Sequence, residues 1–240
     1  MTTKVLGKRV NSYTKASSKS LDPIDRGVRP LQYGVDYWNA YEFTFLDKNK
    51  NPVLKVLEIQ ISANSEFTVE SKSLKIYLNS FYNKKFIKDT DALIKVKKDL
   101  SRLTKSDVKA KFISKFSDVP DTVLLNSFRA TKTKPNQVYC FVGFRSICPV
   151  TSQPDFANIY FIANEALNTS WLLKYFKSYR ERGDFHEHCV ESMLQDIQKE
   201  SNCSSIEISG RFMRRGGIDI NPTRSSSKRL FFKNFRFFNQ

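Results

Sequence analysis

The chain has little of what metal centres and disulfide frameworks require. It contains two histidines, His186 and His188, and four cysteines, none of them in a Cys-x-x-Cys pair. Zinc sites draw their ligands from such pairs and from histidines. The sequence therefore predicts no metal site and no disulfide scaffold. The four cysteines are Cys140, Cys148, Cys189 and Cys203.

Long apolar runs and glycine-rich phosphate loops are also missing from the sequence. No stretch approaches the roughly 20 apolar residues that a membrane span needs, and the N-terminus lacks the apolar segment of a secretion signal. Because no Gly-x-Gly-x-x-Gly is present, a dinucleotide would have to bind outside a Rossmann fold. We expect a cytoplasmic protein with no membrane partner.

Basic residues outnumber acidic ones by 40 to 24, which gives a formal net charge of +16. A basic surface attracts phosphates, so this charge keeps an RNA-binding function open. The lysines are spread along the chain, however, and a spread charge bears more on solubility than on a specific partner. We expect no direct nucleic-acid ligand. The best local argument for one is the segment 228–238, where phenylalanines alternate with basic residues.

An internal repeat is present at a displacement of 98 residues, which places Tyr41 on Tyr139. Both copies begin with strand-like segments and continue with two helical stripes of apolar residues. Each copy then has an alternating segment typical of a half-exposed strand, at residues 108–112 and 206–210. The pattern of strand, strand, helix, helix, strand, strand predicts an α+β fold with two modules and antiparallel sheets.

The repeat suggests how the chain is divided. We expect an N-terminal arm at residues 1–35, a first module at 36–125 and a second module at 126–240. The polar segment from Pro120 to Pro135, bracketed by prolines, is the candidate linker. The phenylalanine-rich tail is expected to pack against a partner module or subunit.

The octapeptide from Cys148 to Asp155 reads Cys-Pro-Val-Thr-Ser-Gln-Pro-Asp. It separates a thiol from a carboxylate by turn-forming residues, and its two prolines favour a rigid loop over a helix. A thiol reacts as its thiolate, which positive charge stabilises, and Arg145 lies shortly upstream. The pattern indicates a nucleophile and its acid. The alternative is a small buried cysteine followed by an aspartate that caps a turn.

Three other motifs accompany the octapeptide: Glu70-Ser71-Lys72-Ser73-Leu74-Lys75, Phe185-His186-Glu187 and the run from Arg214 to Pro222. Together the four resemble the NADPH-dependent 7-cyano-7-deazaguanine reductases, the nitrile reductases called QueF, in their two-module form. The resemblance covers most of the chain. It implies the tunnelling fold, in which ferredoxin-like ββααββ modules form barrels, here in a homodimer. It also implies reduction of 7-cyano-7-deazaguanine to the aminomethyl compound with two NADPH, in queuosine tRNA modification.

The resemblance assigns a role to each site residue. Cys148 would form a covalent thioimide with the nitrile carbon, Asp155 would protonate the nitrogen, and His186 would donate protons and contact the substrate. Other substrate contacts would come from Val69, Glu70, Ser71 and Glu187. NADPH would be bound by Ser71, Lys72, Arg215 and Gly216.

Several alternatives stay open at this point. Glu70 and Glu187 have a structural interpretation, as acids of a first helical turn that the helix dipole stabilises. Two positions depart from the family pattern, because Phe156 and Thr223 stand where tryptophan is usual; catalytic competence is still expected. The competing functions are a non-catalytic tunnelling-fold protein that binds a pterin or purine and a basic RNA-binding protein.

Overall fold

The computed structural model of the protein describes residues 17–27 and 33–240. Within them the chain forms two compact units. The first unit holds residues 17–27, 37–115 and 215–219, and the second holds 33–36, 116–214 and 220–240. Most of the predicted N-terminal arm lies outside the described residues, and the predicted module boundaries stay a prediction.

The first unit is built from a small antiparallel sheet, a strand pair and two helices. Its sheet has the order β5-β3-β2, and β1 pairs antiparallel with β4. Strand β2 begins with residues of the second unit and continues in the first. The elements are β1 (Pro23–Asp25), β2 (Tyr33–Leu46), β3 (Pro52–Ser62), β4 (Phe67–Val69), α1 (Ser71–Asn79), α2 (Asp89–Thr104) and β5 (Lys109–Ile113).

The second unit has a larger sheet with the order β10-β9-β8-β7-β6. Its pairs are antiparallel except for β6, which runs parallel to β7. The elements are β6 (Val123–Leu124), β7 (Tyr139–Ile147), β8 (Pro154–Ala163), α3 (Thr169–Lys177), α4 (His186–Ser201), β9 (Ile206–Phe212) and β10 (Ile218–Ser225). The α+β fold with antiparallel sheets is confirmed.

The predicted repeat is confirmed in the helices. Helices α1 and α3 both have nine residues and begin 98 residues apart, while α2 and α4 both have 16 residues and begin 97 apart. A hydrogen bond between the helices is also repeated. The Tyr77 hydroxyl donates to Asp99 at 2.7 Å, and the Tyr175 hydroxyl donates to Asp196 at 2.5 Å.

The first copy lacks the second strand that was predicted after α2. Among the described residues that follow α2 in this unit, β5 is followed by the segment Arg215–Asp219, which comes from much later in the chain. The Tyr41 amide donates to the Gly217 carbonyl at 2.9 Å, and Asp219 accepts hydrogen bonds from Asn39 and the Tyr41 hydroxyl. These bonds attach the distant segment to β2.

Strand β9 is buried along its whole length, so the prediction that it is half-exposed is wrong. One face of the strand belongs to the core beneath the helices of the second unit. The other face is covered by the tail, where Phe232 and Phe235 pack with Tyr160, and the Arg211 guanidinium lies 3.9 Å from the Phe235 ring centre. The tail therefore packs on the sheet of its own unit.

The predicted linker is also partly structured. Val123 pairs with Tyr139 as part of β6, and Leu125 is fully buried in the core of the second unit. An apolar side chain that gains this much burial anchors its segment to the sheet. The polar composition around it concealed this anchor.

Candidate active site

Two backbone hydrogen bonds of Cys148 close the loop between β7 and β8. The Cys148 amide donates to the Gln153 carbonyl at 2.9 Å, and the Cys148 carbonyl accepts from the Ser152 amide at 3.0 Å. Ser152 takes a positive φ of 56°, which allows the chain to turn sharply there. The predicted loop is confirmed. Cys148 is half-buried, whereas the other three cysteines are buried.

Asp155, which follows this loop at the start of β8, contacts His186. Asp155 is the second residue of β8 and lies opposite Ser146 of β7, with 5% of its surface exposed. His186 is the first residue of α4, and its Nε2 lies 3.3 Å from Asp155 Oδ1. The imidazole stacks on the Phe212 ring with centroids 3.9 Å apart. The structure thus brings together two of the three predicted catalytic side chains.

Backbone bonds connect the Cys148 loop to the start of α4. The Ile147 amide donates to the Arg182 carbonyl, and the Asp184 amide donates to the Ile147 carbonyl, both at 3.0 Å. Ile147 immediately precedes Cys148, and Asp184 is two residues before His186. Sequence reasoning missed this connection because backbone bonds of this kind leave no side-chain signature.

Arg145 does not have the role that the sequence suggested. Its guanidinium donates to the Arg180 carbonyl and lies 3.3 Å from a carboxylate oxygen of Glu181. These contacts place the positive charge of Arg145 beside the end of the helical segment that follows α3. They do not support Arg145 as the group that stabilises the Cys148 thiolate.

Glu187 is the second residue of α4 and is buried. A carboxylate in the first turn is stabilised by the unpaired N–H groups and the dipole of the helix. Its place is therefore compatible with the structural interpretation as well as with the substrate-binding one, which stays a prediction.

Glu70 is the N-cap of α1 and is fully buried. One carboxylate oxygen accepts from the Lys72 amide and the other from the Ser73 amide, both at 2.7 Å. The Ser71 hydroxyl adds a longer contact of 3.3 Å. The backbone N–H groups of Lys72 and Ser73 are therefore occupied by Glu70. The structural interpretation of Glu70 is supported, and its contact with substrate stays a prediction.

The residues around Glu70 fix its position. Val69 ends β4, is buried, and lies opposite Pro23 of β1. The Glu70 amide donates to the Asp22 carbonyl at 2.8 Å, and the Asp22 amide donates to the Ser73 hydroxyl at 3.0 Å. Asp22 is therefore bonded both to the cap residue Glu70 and to Ser73 in the first turn of α1.

The predicted cofactor residues Arg215 and Gly216 lie in the first unit, although the sequence-based division assigns them to the second module. Arg215 and Ile218 exchange backbone hydrogen bonds around a tight turn. The two central glycines have φ values of +55° and +79°, which only glycine adopts readily. A Cβ at Gly217 would lie 2.6 Å from a carboxylate oxygen of Glu42, but this is the far end of an exposed side chain that can move aside, so the backbone angle is what requires glycine here.

A small pocket, partly open to solvent, lies beside this turn. Its lining includes Glu42 of β2, Lys75 of α1 and both glycines. A Cβ built on Gly216 would be 3.4 Å from the Lys75 ammonium. Glycine lets a ligand approach the backbone closely and Lys75 supplies positive charge, but Glu42 places a carboxylate in the same lining, so the binding of NADPH here stays a prediction.

Two family models match this sequence. One, described as "Nitrile reductase, 7-cyano-7-deazaguanine-reductase N-term", matches residues 13–112, and the other, described as "QueF-like protein", matches 154–230. A protein of Coxiella burnetii (strain Dugway 5J108-111) is 34% identical over 234 residues, which cover 88% of this chain and 83% of the relative. That protein is named NADPH-dependent 7-cyano-7-deazaguanine reductase. The chain belongs to this reductase family.

Other members of the reductase family have the same name. One from Desulfotalea psychrophila is 35% identical over 258 residues, with 94% of each chain covered. One from Legionella pneumophila (strain Corby) is 31% identical over 260 residues, with 94% of this chain and 90% of the relative covered. The similarity therefore extends over nearly the whole length of both chains.

The two departures from the reductase pattern differ in their surroundings. Phe156 is 47% exposed, so its ring is available on the surface of β8. Thr223 is fully buried and forms a 2.8 Å hydrogen bond with the Ser209 hydroxyl. The neighbouring Arg224 is held in place by a 2.9 Å ion pair with Glu191.

Two further features of the described ranges bear on ligands. Within residues 17–27 and 33–240, no helix combines the length and apolar content that a membrane crossing requires. In the same part of this reductase, no group of three or more histidine, cysteine and carboxylate side chains could hold a metal ion.

Proposed function

We propose that this protein reduces the cyano group of 7-cyano-7-deazaguanine to an aminomethyl group with NADPH. Relatives that are 31% to 35% identical to it are named for the NADPH-dependent reductase of this compound. The observation that carries the mechanism is the contact of His186 with Asp155, the residue that follows the Cys148 loop at the start of β8. It supports a nucleophile, an acid and a proton donor in one unit.

Cys148 is the proposed nucleophile. Its sulfur adds to the nitrile carbon, a carbon–sulfur bond forms, one π bond of the nitrile opens, and the nitrogen takes up a proton. The product of this step is a covalent thioimide. Burial raises the thiol pKa of each of the other cysteines, which makes them poor nucleophiles: Cys140, Cys189 and Cys203.

Asp155 and His186 are the proposed proton donors to the substrate nitrogen. Within the described residues, His186 Nδ1 is buried and has no hydrogen-bond partner. A neutral imidazole carries one N–H, so the proton is best held at Nε2, which faces Asp155 at 3.3 Å. When the imidazole is protonated on both nitrogens, Nε2 can pass its proton to Asp155 as Asp155 gives its own proton to the substrate nitrogen, which leaves a neutral imidazole.

Substrate recognition is assigned to carboxylates. The pyrimidine edge of a deazaguanine presents adjacent N–H donors. Glu70 and Glu187 would accept charge-assisted hydrogen bonds from them, and Val69 and Ser71 would line the base. A carboxylate offers about four acceptor sites, so Glu70 would share its oxygens between the substrate and the first turn of α1.

The cofactor is assigned to residues of the first unit. Ser71, Lys72, Arg215 and Gly216 would hold NADPH, and Lys75 beside Gly216 adds positive charge. When bound, NADPH supplies hydride, and two molecules account for the four electrons that convert a nitrile into an amine. The carbon–sulfur bond breaks during the reduction and returns the thiol of Cys148.

The remaining parts of the proposal concern the cellular setting. The family resemblance supports the proposal that the product serves the queuosine modification of tRNA, and that the protein acts as a cytoplasmic homodimer which binds the small molecule and not nucleic acid. The net charge of +16 would then serve solubility and attraction of the phosphorylated cofactor.

The test is the intact mass of the protein after incubation with 7-cyano-7-deazaguanine in the absence of NADPH. We expect an increase equal to the whole substrate, because addition of a thiol to a nitrile loses no atoms. The increase should be absent in Cys148→Ala, present in the control Cys203→Ala, and discharged as amine when NADPH is added. No adduct, together with no oxidation of NADPH on adding substrate, would contradict the proposed function.

A further inference from the structure

The segment Arg182–Gly183–Asp184, named here the clasp, lies against the chain that leads into the Cys148 loop. Gly183 forms a parallel bridge with Ile147, whose amide and carbonyl both bond to the clasp at 3.0 Å. A Cβ built on Gly183 would lie 3.7 Å from the Pro149 Cα. The clasp therefore contacts the chain on both sides of Cys148.

The Asp184 side chain continues this connection into helix α4. Its Oδ1 accepts from the Phe185 amide at 2.9 Å and lies 3.1 Å from His188 Nδ1. Its Oδ2 lies 3.5 Å from an Arg182 guanidinium nitrogen. Phe185 is the N-cap residue of α4 and makes no side-chain capping bond of its own. Asp184 is thus the acceptor that joins the clasp to the first turn of the helix.

This first turn carries His186, which faces Asp155 at 3.3 Å. One residue, through its amide and its carboxylate, therefore connects the chain before Cys148 with the helix end that carries His186. A shift of about 1 Å in such groups is enough to cost up to two orders of magnitude in rate.

We infer that Asp184 is a positioning residue, which holds the Cys148 loop and His186 at a fixed separation and so sets the rate of attack on the nitrile. This inference rests on the proposed function for its consequence in catalysis. Its geometric part, that Asp184 restrains the loop of Cys148, stands on the contacts of the clasp alone. The contacts of the Asp184 side chain described above are with Arg182, Phe185 and His188, so it would act on the reacting groups through other residues.

The first experiment measures the rate of adduct formation on Cys148 with 7-cyano-7-deazaguanine in the absence of NADPH. In Asp184→Ala we expect this rate to fall about tenfold with little change in the KM for NADPH. Asp184→Asn should recover most of the rate, because its amide oxygen still accepts from the Phe185 amide. His188→Gln is the control for the other partner of Oδ1 and should react at a rate close to that of the wild type.

A second measurement does not depend on turnover. Cys148 is half-buried while the other cysteines are buried, so alkylation by iodoacetamide reports on the Cys148 loop. We expect Asp184→Ala to be alkylated faster than the wild type, with faster hydrogen exchange at the Ile147 amide. If the wild type forms no adduct but the alkylation difference is found, the proposed function fails and the restraint by Asp184 stands.

Two results would overturn the inference. One is adduct formation and alkylation in Asp184→Ala at wild-type rates. The other is an equal loss in Asp184→Asn and Asp184→Ala, since the carbonyl of asparagine preserves the bond to the helix. Circular dichroism at the assay temperature checks that each variant is folded, so that a slower reaction is not caused by a smaller folded fraction.

Discussion

Glu70 and Asn168 occupy the same place in the two copies of the repeat, just before α1 and α3, and both are N-caps. Asn168 accepts one backbone hydrogen bond, from Trp171, as an ordinary cap does. Glu70 has a longer, charged side chain that accepts from two backbone amides and is fully buried. The first copy therefore has a carboxylate where the second needs only a polar amide.

The acids in the first hairpin of each module also differ, but here the candidate functional residue lies in the second copy. In the first, Asp47 is only half-buried and accepts from the amides of Asn49 and Asn51, and the bond from Asn51 lowers its pKa. In the second, Asp155 is buried against His186. The two aspartates do not occupy matching positions, because the displacement of 98 residues places Asp47 on Arg145, but they contrast a structural acid in one hairpin with a candidate functional acid in the other. A duplicated scaffold lets one copy specialise while the other retains the simple role.

The largest expected effect tests the contrast between Asp155 and Asp47. Asp155→Asn should lower kcat by about 10² to 10⁴, because the protonation of the substrate nitrogen loses its acid. Asp47→Asn should leave kcat unchanged, since its carboxylate only shapes an exposed turn. Steady-state oxidation of NADPH measures both variants. Comparable losses in the two variants would contradict the assignment of Asp155.

A smaller effect separates the two caps. Glu70→Gln should raise the KM for 7-cyano-7-deazaguanine about tenfold, because a charge-assisted bond is worth roughly 1.5–3 kcal/mol. Asn168→Ala should instead lower the free energy of unfolding by about 1 kcal/mol and leave this KM unchanged. The measurements are initial rates and urea unfolding of each variant. An unchanged KM in Glu70→Gln would leave Glu70 with its structural role only.

The smallest effect concerns the tyrosine and aspartate pair that the modules share. Burial raises the pKa of Tyr77 and of Tyr175, so both hydroxyls stay protonated and donate. Tyr77→Phe should cost about 1 kcal/mol of unfolding free energy, because Lys95 still pairs with Asp99 at 3.1 Å.

Tyr175→Phe should cost about 2 kcal/mol, because the Tyr175 hydroxyl also bonds the Tyr179 hydroxyl at 2.9 Å and both partners lose a bond. In the first copy, Phe81 stands at the place that corresponds to Tyr179. Urea unfolding of the two variants is the measurement. Equal losses would show that the additional tyrosine adds nothing to the network.

The features that the sequence predicted correctly are those with local signals. Apolar residues at helical spacing, such as Val96 and Met193, marked helices that the structure places at the same displacement in both copies. The loop at Cys148 followed from its prolines and turn residues. In each of these cases the residues that determine the structure are neighbours in the chain.

The features that the sequence could not supply depend on distant contacts. The full burial of β9 requires the tail, whose Phe232 packs on Tyr160. The attachment of Gly217 to Tyr41 joins residues far apart in the chain. Nothing in the composition of either segment specifies its partner. The connection through Asp184 was missed for the same reason, since it bonds to Ile147 through the backbone.

The segment Arg215–Asp219 has a consequence for synthesis of the protein on the ribosome. The first unit contains this segment, so it lacks part of its structure until residues close to the end of the chain have left the exit tunnel. Residues 37–115 must wait through the translation of about a hundred further codons, during which the second module is already emerging. Because the second unit needs residues 220–240, the first unit is completed only shortly before the second, although residues 37–115 are made much earlier.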